Sequence, residues 1–367
     1  MKVHISHRQL GFLAANMTIA SSLVVLPQSL TDLSLQNTWV VPLFLFAYVV
    51  ILVSIGMFGI QKLQVLDFDS KSWKIKGFAL LMFIFIAHIL IRDVRILTGF
   101  VDTTLLPLTP TFVVTMLFIG TSLYIAWAGI EVIARFNEIM YVLFIIVILF
   151  IPISLFEEMS LANFEPVMGF HVIPSLLQSS FIGFAWIGEI IIVFLILNTT
   201  KSYQKSKLSL IWGGGLGLFL LFILIFSQTA VIGSEIVRFT TYPSYTLVQQ
   251  IRLTEFLDRL DFFLVSLYFP TIFSKLALML YGLNRSVNMI TNSKNKVTLI
   301  PLTLLMGMLS LLLFEDKNDI YEFKIHSWAS LGLFLQLVIA IVMFLIIRDN
   351  LKNNKQAQNN STQDSEQ

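Results

Sequence analysis

Ten stretches of about 20 largely apolar residues, each bounded by charged or turn residues, dictate what this chain can fold into. They lie near Gly11–Leu30, Trp39–Gln61, Gly77–Leu97, Thr111–Trp127, Ile139–Phe156, Pro174–Leu197, Leu208–Gly233, Asp261–Gly282, Val297–Phe314 and Ser327–Ile347. A helix of that length crosses the hydrocarbon of a bilayer while satisfying its own backbone groups, which lipid cannot do for it. Of the 367 residues 56% are apolar and 13% are Asp, Glu, Lys or Arg, against about 25% charged in a soluble domain. The expected fold class is therefore an all-α integral membrane protein of about ten transmembrane helices.

Charge gives the orientation. With the N-terminus in the cytoplasm, 16 Lys and Arg fall on the cytoplasmic side and five on the other, which instead gathers ten acids from Asp102 to Glu322. Dropping or adding one span would mix the two sets, so both termini are expected inside. One transmembrane domain, residues 1–348, is expected, followed by a polar tail, 349–367, expected to be disordered. The longest external loop, 234–260, has apolar residues near helical spacing and reads as a short helix over the external mouth. The first apolar segment follows no cleavage signal and is expected to stay as a span.

Function is best sought where a spanning helix is weakened, because freed backbone at that depth is tolerated only beside a cavity or within protein. The first span gathers Ala14, Ala15, Asn16, Thr18, Ala20, Ser21 and Ser22 at mid-span, followed by Pro27. The sixth carries Ser179, Ser180, Gly183, Gly188 and then Glu189. Dividing ten spans into repeats of about 8–156 and 174–348 puts these interruptions at corresponding positions, the pattern of a secondary-transporter site facing an ionic or zwitterionic solute. Small residues also let helices pack closely, and Gly213–Gly217 is read only as such a face.

Charges within the spans need an explanation, since each costs about 2.5–3.5 kcal/mol on insertion scales. Glu189 reads as a solute-amine partner or proton carrier, or as an acid bracing the break. Lys275 reads as a stand-in for a bound sodium ion, as a proton carrier, or as a snorkelling side chain. His88, Arg92, Asp93 and Arg95 are placed toward the outer end of the third span, as interface anchors or a carboxylate-attracting vestibule. Glu131, Arg135 and Glu138 read as a solvated ladder on the cytoplasmic side. The chain has no cysteine, one intramembrane histidine of five, and no nucleophile-elbow, P-loop or dinucleotide motif. No catalytic residue, metal, cofactor or nucleic-acid partner is expected.

Several elements together carry a resemblance. They are Ser6, Arg8 and Gln9 ahead of a first span with Leu26–Pro27, the pair Thr109–Pro110, the stretch GIEVIARFNEI from Gly129 to Ile139, the region Gly183–Glu189, and Arg259–Asp261 before the eighth span. In order and spacing the chain resembles the B subunits of spore germinant receptors, the GerAB-type germination permeases of the amino acid–polyamine–organocation transporter superfamily. The resemblance implies a LeuT-like inverted 5+5 repeat with the first and sixth helices unwound around a solute. Carried over by position, it implies substrate contacts at Ala20, Ser21, Ser22, Gly183, Phe184, Ala185 and Trp186, closed by His88 and Tyr268, with Glu189 and Lys275 as coupling or structural charges. It also implies a small-molecule germinant, such as an amino acid, partner A and C subunits, and a place in the spore inner membrane. The alternatives are a proton-coupled amino acid permease and a gated ion or water pathway.

Overall fold

The computed structural model of the chain describes residues 4–20, 22–60, 68, 72–166, 169, 172–200, 202–251, 260–314 and 327–365. Ser6 starts the first helix through a reciprocal cap: its hydroxyl accepts from the Gln9 amide at 3.1 Å and the Gln9 side chain accepts from the Ser6 amide at 2.9 Å. The same Gln9 then donates to Glu138 at 3.0 Å, and Arg8 pairs with Glu138 at 2.7 Å. Two separate stretches of the resemblance thus meet at one carboxylate.

The first span is two helices, α1 (His7–Ile19) and α2 (Ser22–Ser34), and α2 continues through a 3₁₀ stretch, Leu35–Val40, into α3 (Val41–Gly56). There follow α4 (Trp73–Thr104), α5 (Thr111–Ala128) and α6 (Ile130–Ser154). Gly129 makes the tight corner between α5 and α6 at φ +97°, ψ 173°, a backbone conformation that is essentially glycine's alone. The sixth span is α7 (Ile173–Ile187) running directly into a 12-residue 3₁₀ segment, Gly188–Thr199. The rest comprises α8 (Tyr203–Val231), the short helices α9 (Ser234–Val237) and α10 (Pro243–Gln249), α11 (Leu260–Thr291), α12 (Leu299–Leu312) and α13 (Trp328–Ser365).

Among the described residues, eight helices are long and apolar enough to cross a membrane. The difference from ten has a simple origin. The break at Ala20 leaves α1 with 13 residues and merges α2 with α3 into one run, while α12 has 14 residues and reaches about 21 Å. Among the described residues, each of the ten apolar runs is mostly helical.

Small residues set the tightest packing. A Cβ at Gly213 would lie 2.2 Å from the Gly11 carbonyl oxygen, and one at Gly217 would lie 2.0 Å from the Thr18 hydroxyl, so α8 lies backbone to backbone on α1. The polar stretch after Arg348 continues as helix in α13, where disorder is the expectation from composition; Leu, Lys, Gln and Ala all propagate a helix at little cost once one is running. Ser21, and the loop charges Lys62, Lys71, Lys201, Arg252, Glu255, Asp258, Arg259, Glu315, Asp316, Lys317, Asp319, Glu322 and Lys324, lie outside the described residues.

Candidate functional site

Each interruption is fastened by side chains from other helices. At the first, α1 ends at Ala20, whose carbonyl accepts from the Tyr268 hydroxyl of α11. One turn earlier Asn16 donates to the Asn137 side chain of α6 at 2.7 Å and to the Thr271 carbonyl at 2.9 Å, and Ser274 donates to Asn137 at 3.0 Å. The Ser22 hydroxyl donates back to the carbonyls of Thr18 and Ile19, at 2.8 and 3.0 Å, bridging the two half-helices. Further along α2, Pro27 has no amide to offer the Leu23 carbonyl, and Ser244 of α10 donates to it instead at 2.7 Å. The Ser244 hydroxyl in turn accepts from Gln228 of α8 at 3.0 Å.

The sixth span changes its winding at Gly188, next to Glu189, just past the positions Gly183–Trp186 at which the resemblance implies solute contacts. Its α-helix continues through Ile187, and the winding tightens to 3₁₀ from Gly188 onward. Runs of 3₁₀ beyond three or four residues are uncommon because their hydrogen bonds are poorly aligned, so a 12-residue run needs outside support. Gln336 of α13 supplies part of it. Its amide donates to the Ala185 carbonyl at 2.7 Å, and its oxygen accepts from Tyr48 at 2.7 Å. A Cβ on Gly188 would meet that Gln336 oxygen at 1.9 Å, which is why this position carries no side chain.

The rest of the support is ionic. Glu189, the second residue of the 3₁₀ segment, accepts from Arg92 of α4 at 2.5 Å and from Lys275 of α11 at 2.7 Å. Asp93 completes a ring, accepting from Arg92 at 2.6 Å and lying 3.1 Å from the Lys275 ammonium. Two cations face two carboxylates, so the quartet is balanced. Its four side chains are at most 2% exposed. The guanidinium carbon of Arg92 lies 3.8 Å from the ring centre of Trp186 and 4.9 Å from that of Trp328, and His88 stacks on Trp328 at 5.0 Å.

This arrangement corrects three sequence expectations. Lys275 does not snorkel, because both carboxylates lie within its reach in the interior. Arg92 and Asp93 are neither anchors nor a vestibule: α4 continues past the apolar run to Thr104, which moves both from the helix end to its middle. Of the four, Arg95 keeps a tie near the end of α4, donating to the Phe314 carbonyl at 2.8 Å. In the ladder of Glu131, Arg135 and Glu138, the first two pair in the open, but Glu138 turns to Arg8 and Gln9.

Among the expected solute contacts, Ala20 and Tyr268 are bonded to each other, Phe184 stacks on Tyr48 at 4.6 Å, and Trp186 covers the quartet. Gly183 packs on Leu45 and Ala185 on Gly332, so the two face different neighbours. Arg92 and Asp93, read from the sequence as interface anchors or a vestibule, belong instead to the buried site. The signal was present in the apolar residues on both sides of them, Ile89–Ile91 and Ile96–Leu97 with Phe100 and Val101 beyond.

Comparison with known proteins follows the same lines. The chain is similar to YfkT of Bacillus subtilis (strain 168), with 25% identity over 348 residues covering 92% of this chain and 94% of YfkT. It is 26% identical over 317 residues to spore germination protein KB of the same organism, covering 80% of each chain. Its fold matches that of Mhp1, a nucleobase-cation-symport-1 family transporter solved in a closed conformation with bromovinylhydantoin bound, with TM-score 0.56 and 12% identity over 96% of this chain and 94% of Mhp1. The fold is therefore the LeuT-like transporter fold. The model of the spore permease family, described as spore germination protein, matches residues 4–320, and the chain belongs to that family as a multi-pass membrane permease of the GerAB type and not an enzyme.

Proposed function

We propose that this chain is the solute-sensing membrane subunit of a germinant receptor, binding a small zwitterion such as an amino acid where the first and sixth spans change course. The contacts are those of Ala20, Ser21 and Ser22 on one side and Gly183, Phe184, Ala185 and Trp186 on the other, with His88 and Tyr268 closing the pocket. Both termini face the cytoplasm, the membrane is the spore inner membrane, and A and C subunits receive the signal.

The observation that carries this reading is the closed charge quartet. It joins the third, sixth and eighth spans, and its cations and carboxylates pair with one another. Parting a buried pair costs several kcal/mol, so the quartet holds the bundle in one state until solute binding favours another. A ligand shifts such an equilibrium only by its differential affinity for the two states, which suits a switch. Carriage of a proton on Glu189 or Lys275 is the competing use of the same residues.

Deletion of the gene, with spores scored on single amino acids and nucleosides and solute uptake followed in parallel, tests the proposal. The expected result is loss of the response to one nutrient with uptake unchanged. Unchanged germination on every nutrient would overturn it.

A further inference from the structure

Two depressions open along α8, and they meet at Phe222. The longer runs between α3 and α8, walled by Leu43 and Phe46 on one side and by Trp212, Phe219 and Phe222 on the other, with Gly215 between them. A Cβ at Gly215 would lie 3.0 Å from the Phe46 ring, so a side chain here would close the groove. The shorter lies beyond it, between Phe222 and Phe226 of α8 and Pro152, Phe156 and Met159 at and past the end of α6. Trp212 and Phe219 are exposed, and the two linings together carry a single hydroxyl, that of Ser227. Ser227 is itself buried, and its hydroxyl has no hydrogen-bond partner among the described residues, whereas Thr229, two positions on, bonds back to the Ile225 carbonyl at 3.0 Å. Between Phe156 and Met159 in the chain, Glu157 and Glu158 stand exposed at the mouth of the shorter depression.

We infer that these depressions hold one phospholipid with an ammonium headgroup, its acyl chain in the groove, an ester carbonyl accepting from Ser227, and its ammonium beside Glu157 and Glu158. Each part of such a lipid finds its level. Trp212 and Phe222 are about 15 Å apart along α8, the depth of one leaflet in a hydrocarbon core of about 30 Å. Ser227 lies about 8 Å farther along the same helix, at the level where that leaflet's ester groups begin. A second spanning helix would suit the apolar walls, but its backbone carbonyls are taken by its own amides and leave nothing for the Ser227 hydroxyl. A lipid ester carbonyl has no such partner and accepts freely. Two exposed carboxylates at the mouth attract a cationic group and repel an anionic headgroup. The inference stands apart from the solute reading, since none of these residues is among the expected solute contacts.

The test is native mass spectrometry of the purified, delipidated full-length chain, titrated with dioleoyl phosphatidylethanolamine and, separately, with dioleoyl phosphatidylglycerol. The wild-type chain should take up one phosphatidylethanolamine ahead of all further lipid, and more tightly than phosphatidylglycerol. Gly215→Leu, which puts a side chain into the groove, should abolish that first step. Ser227→Ala should weaken it about five-fold, the worth of one hydrogen bond. Glu157→Gln with Glu158→Gln should lower the preference for the ethanolamine headgroup about three-fold while the chain stays seated. Circular dichroism of each variant separates lost binding from lost fold, and the two exposed glutamates keep the test open should Gly215→Leu fail to fold. Equal lipid uptake by the wild type and by folded Gly215→Leu and Ser227→Ala would mean unselective lipid contact and overturn the inference. Tighter binding of phosphatidylglycerol would also overturn it, as would a dimer forming in place of lipid uptake, which would give the groove to a second copy of the chain.

Discussion

Replacing Lys275 with methionine would keep the apolar stem and remove one of two cations from a buried, balanced quartet. Lys275 takes part in two of its four ion pairs, at 2.7 Å to Glu189 and 3.1 Å to Asp93, with 2% of its side chain exposed. The variant would leave two carboxylates facing Arg92 alone, a net charge of −1 in the interior. Removing one partner of a buried pair typically costs about 3–5 kcal/mol, chiefly because the remaining charge is stranded. Adding Glu189→Gln restores neutrality, and neighbours in one network couple by about 0.5–3 kcal/mol, so the double variant should be more stable than Lys275→Met alone. The assay is reversible unfolding of the purified protein in mixed micelles of a mild and a denaturing detergent, followed by circular dichroism. A loss below about 1 kcal/mol in Lys275→Met, or a double variant no more stable than the single, would refute the quartet as a structural latch.

Two further predictions concern the fastenings of the breaks. Gly188→Ala should cost about 1–3 kcal/mol in the same assay, because its methyl would collide with a Gln336 side chain pinned by Tyr48 and by the Ala185 carbonyl; a neutral substitution would mean that Gln336 can swing aside. Ser244→Ala strands the Leu23 carbonyl and should cost about 1–3 kcal/mol, and Pro27→Ala, which returns an amide to that carbonyl, should lessen the loss. Equal losses from Ser244→Ala in the presence and absence of Pro27 would contradict the link.

The spans and both interruptions were legible in the sequence because each rests on a local rule. A run of apolar residues sets a spanning helix, and clustered small residues and proline weaken one. Gly213 and Gly217 were likewise legible as a packing face, and the structure places them on Gly11, Ala14 and Thr18 of α1. The quartet was not legible as a unit, because it is assembled across α4, the 3₁₀ segment and α11 from residues 86 and 97 positions apart. Glu189 and Lys275 announced themselves as lone charges in apolar surroundings. Arg92 and Asp93 did not, since a dense charge group near the end of an apolar run reads as an interface until the helix is seen to continue beyond it. The 3₁₀ winding after Gly188 also left no local mark: Ile190–Leu197 is an apolar run that suits an α-helix equally well, and its pitch depends on contacts supplied by Arg92, Lys275 and Gln336.

On the function proposed above, solute is bound and read in this bundle without being carried across. Its most direct test is the chain reconstituted in liposomes, with equilibrium binding and accumulation of the same radiolabelled solute measured side by side under a proton gradient of either sign. The expected result is saturable binding that Ala185→Leu abolishes, with no accumulation above empty liposomes. Gradient-driven accumulation that disappears in Lys275→Met while binding persists would contradict it and make the chain a proton-coupled carrier.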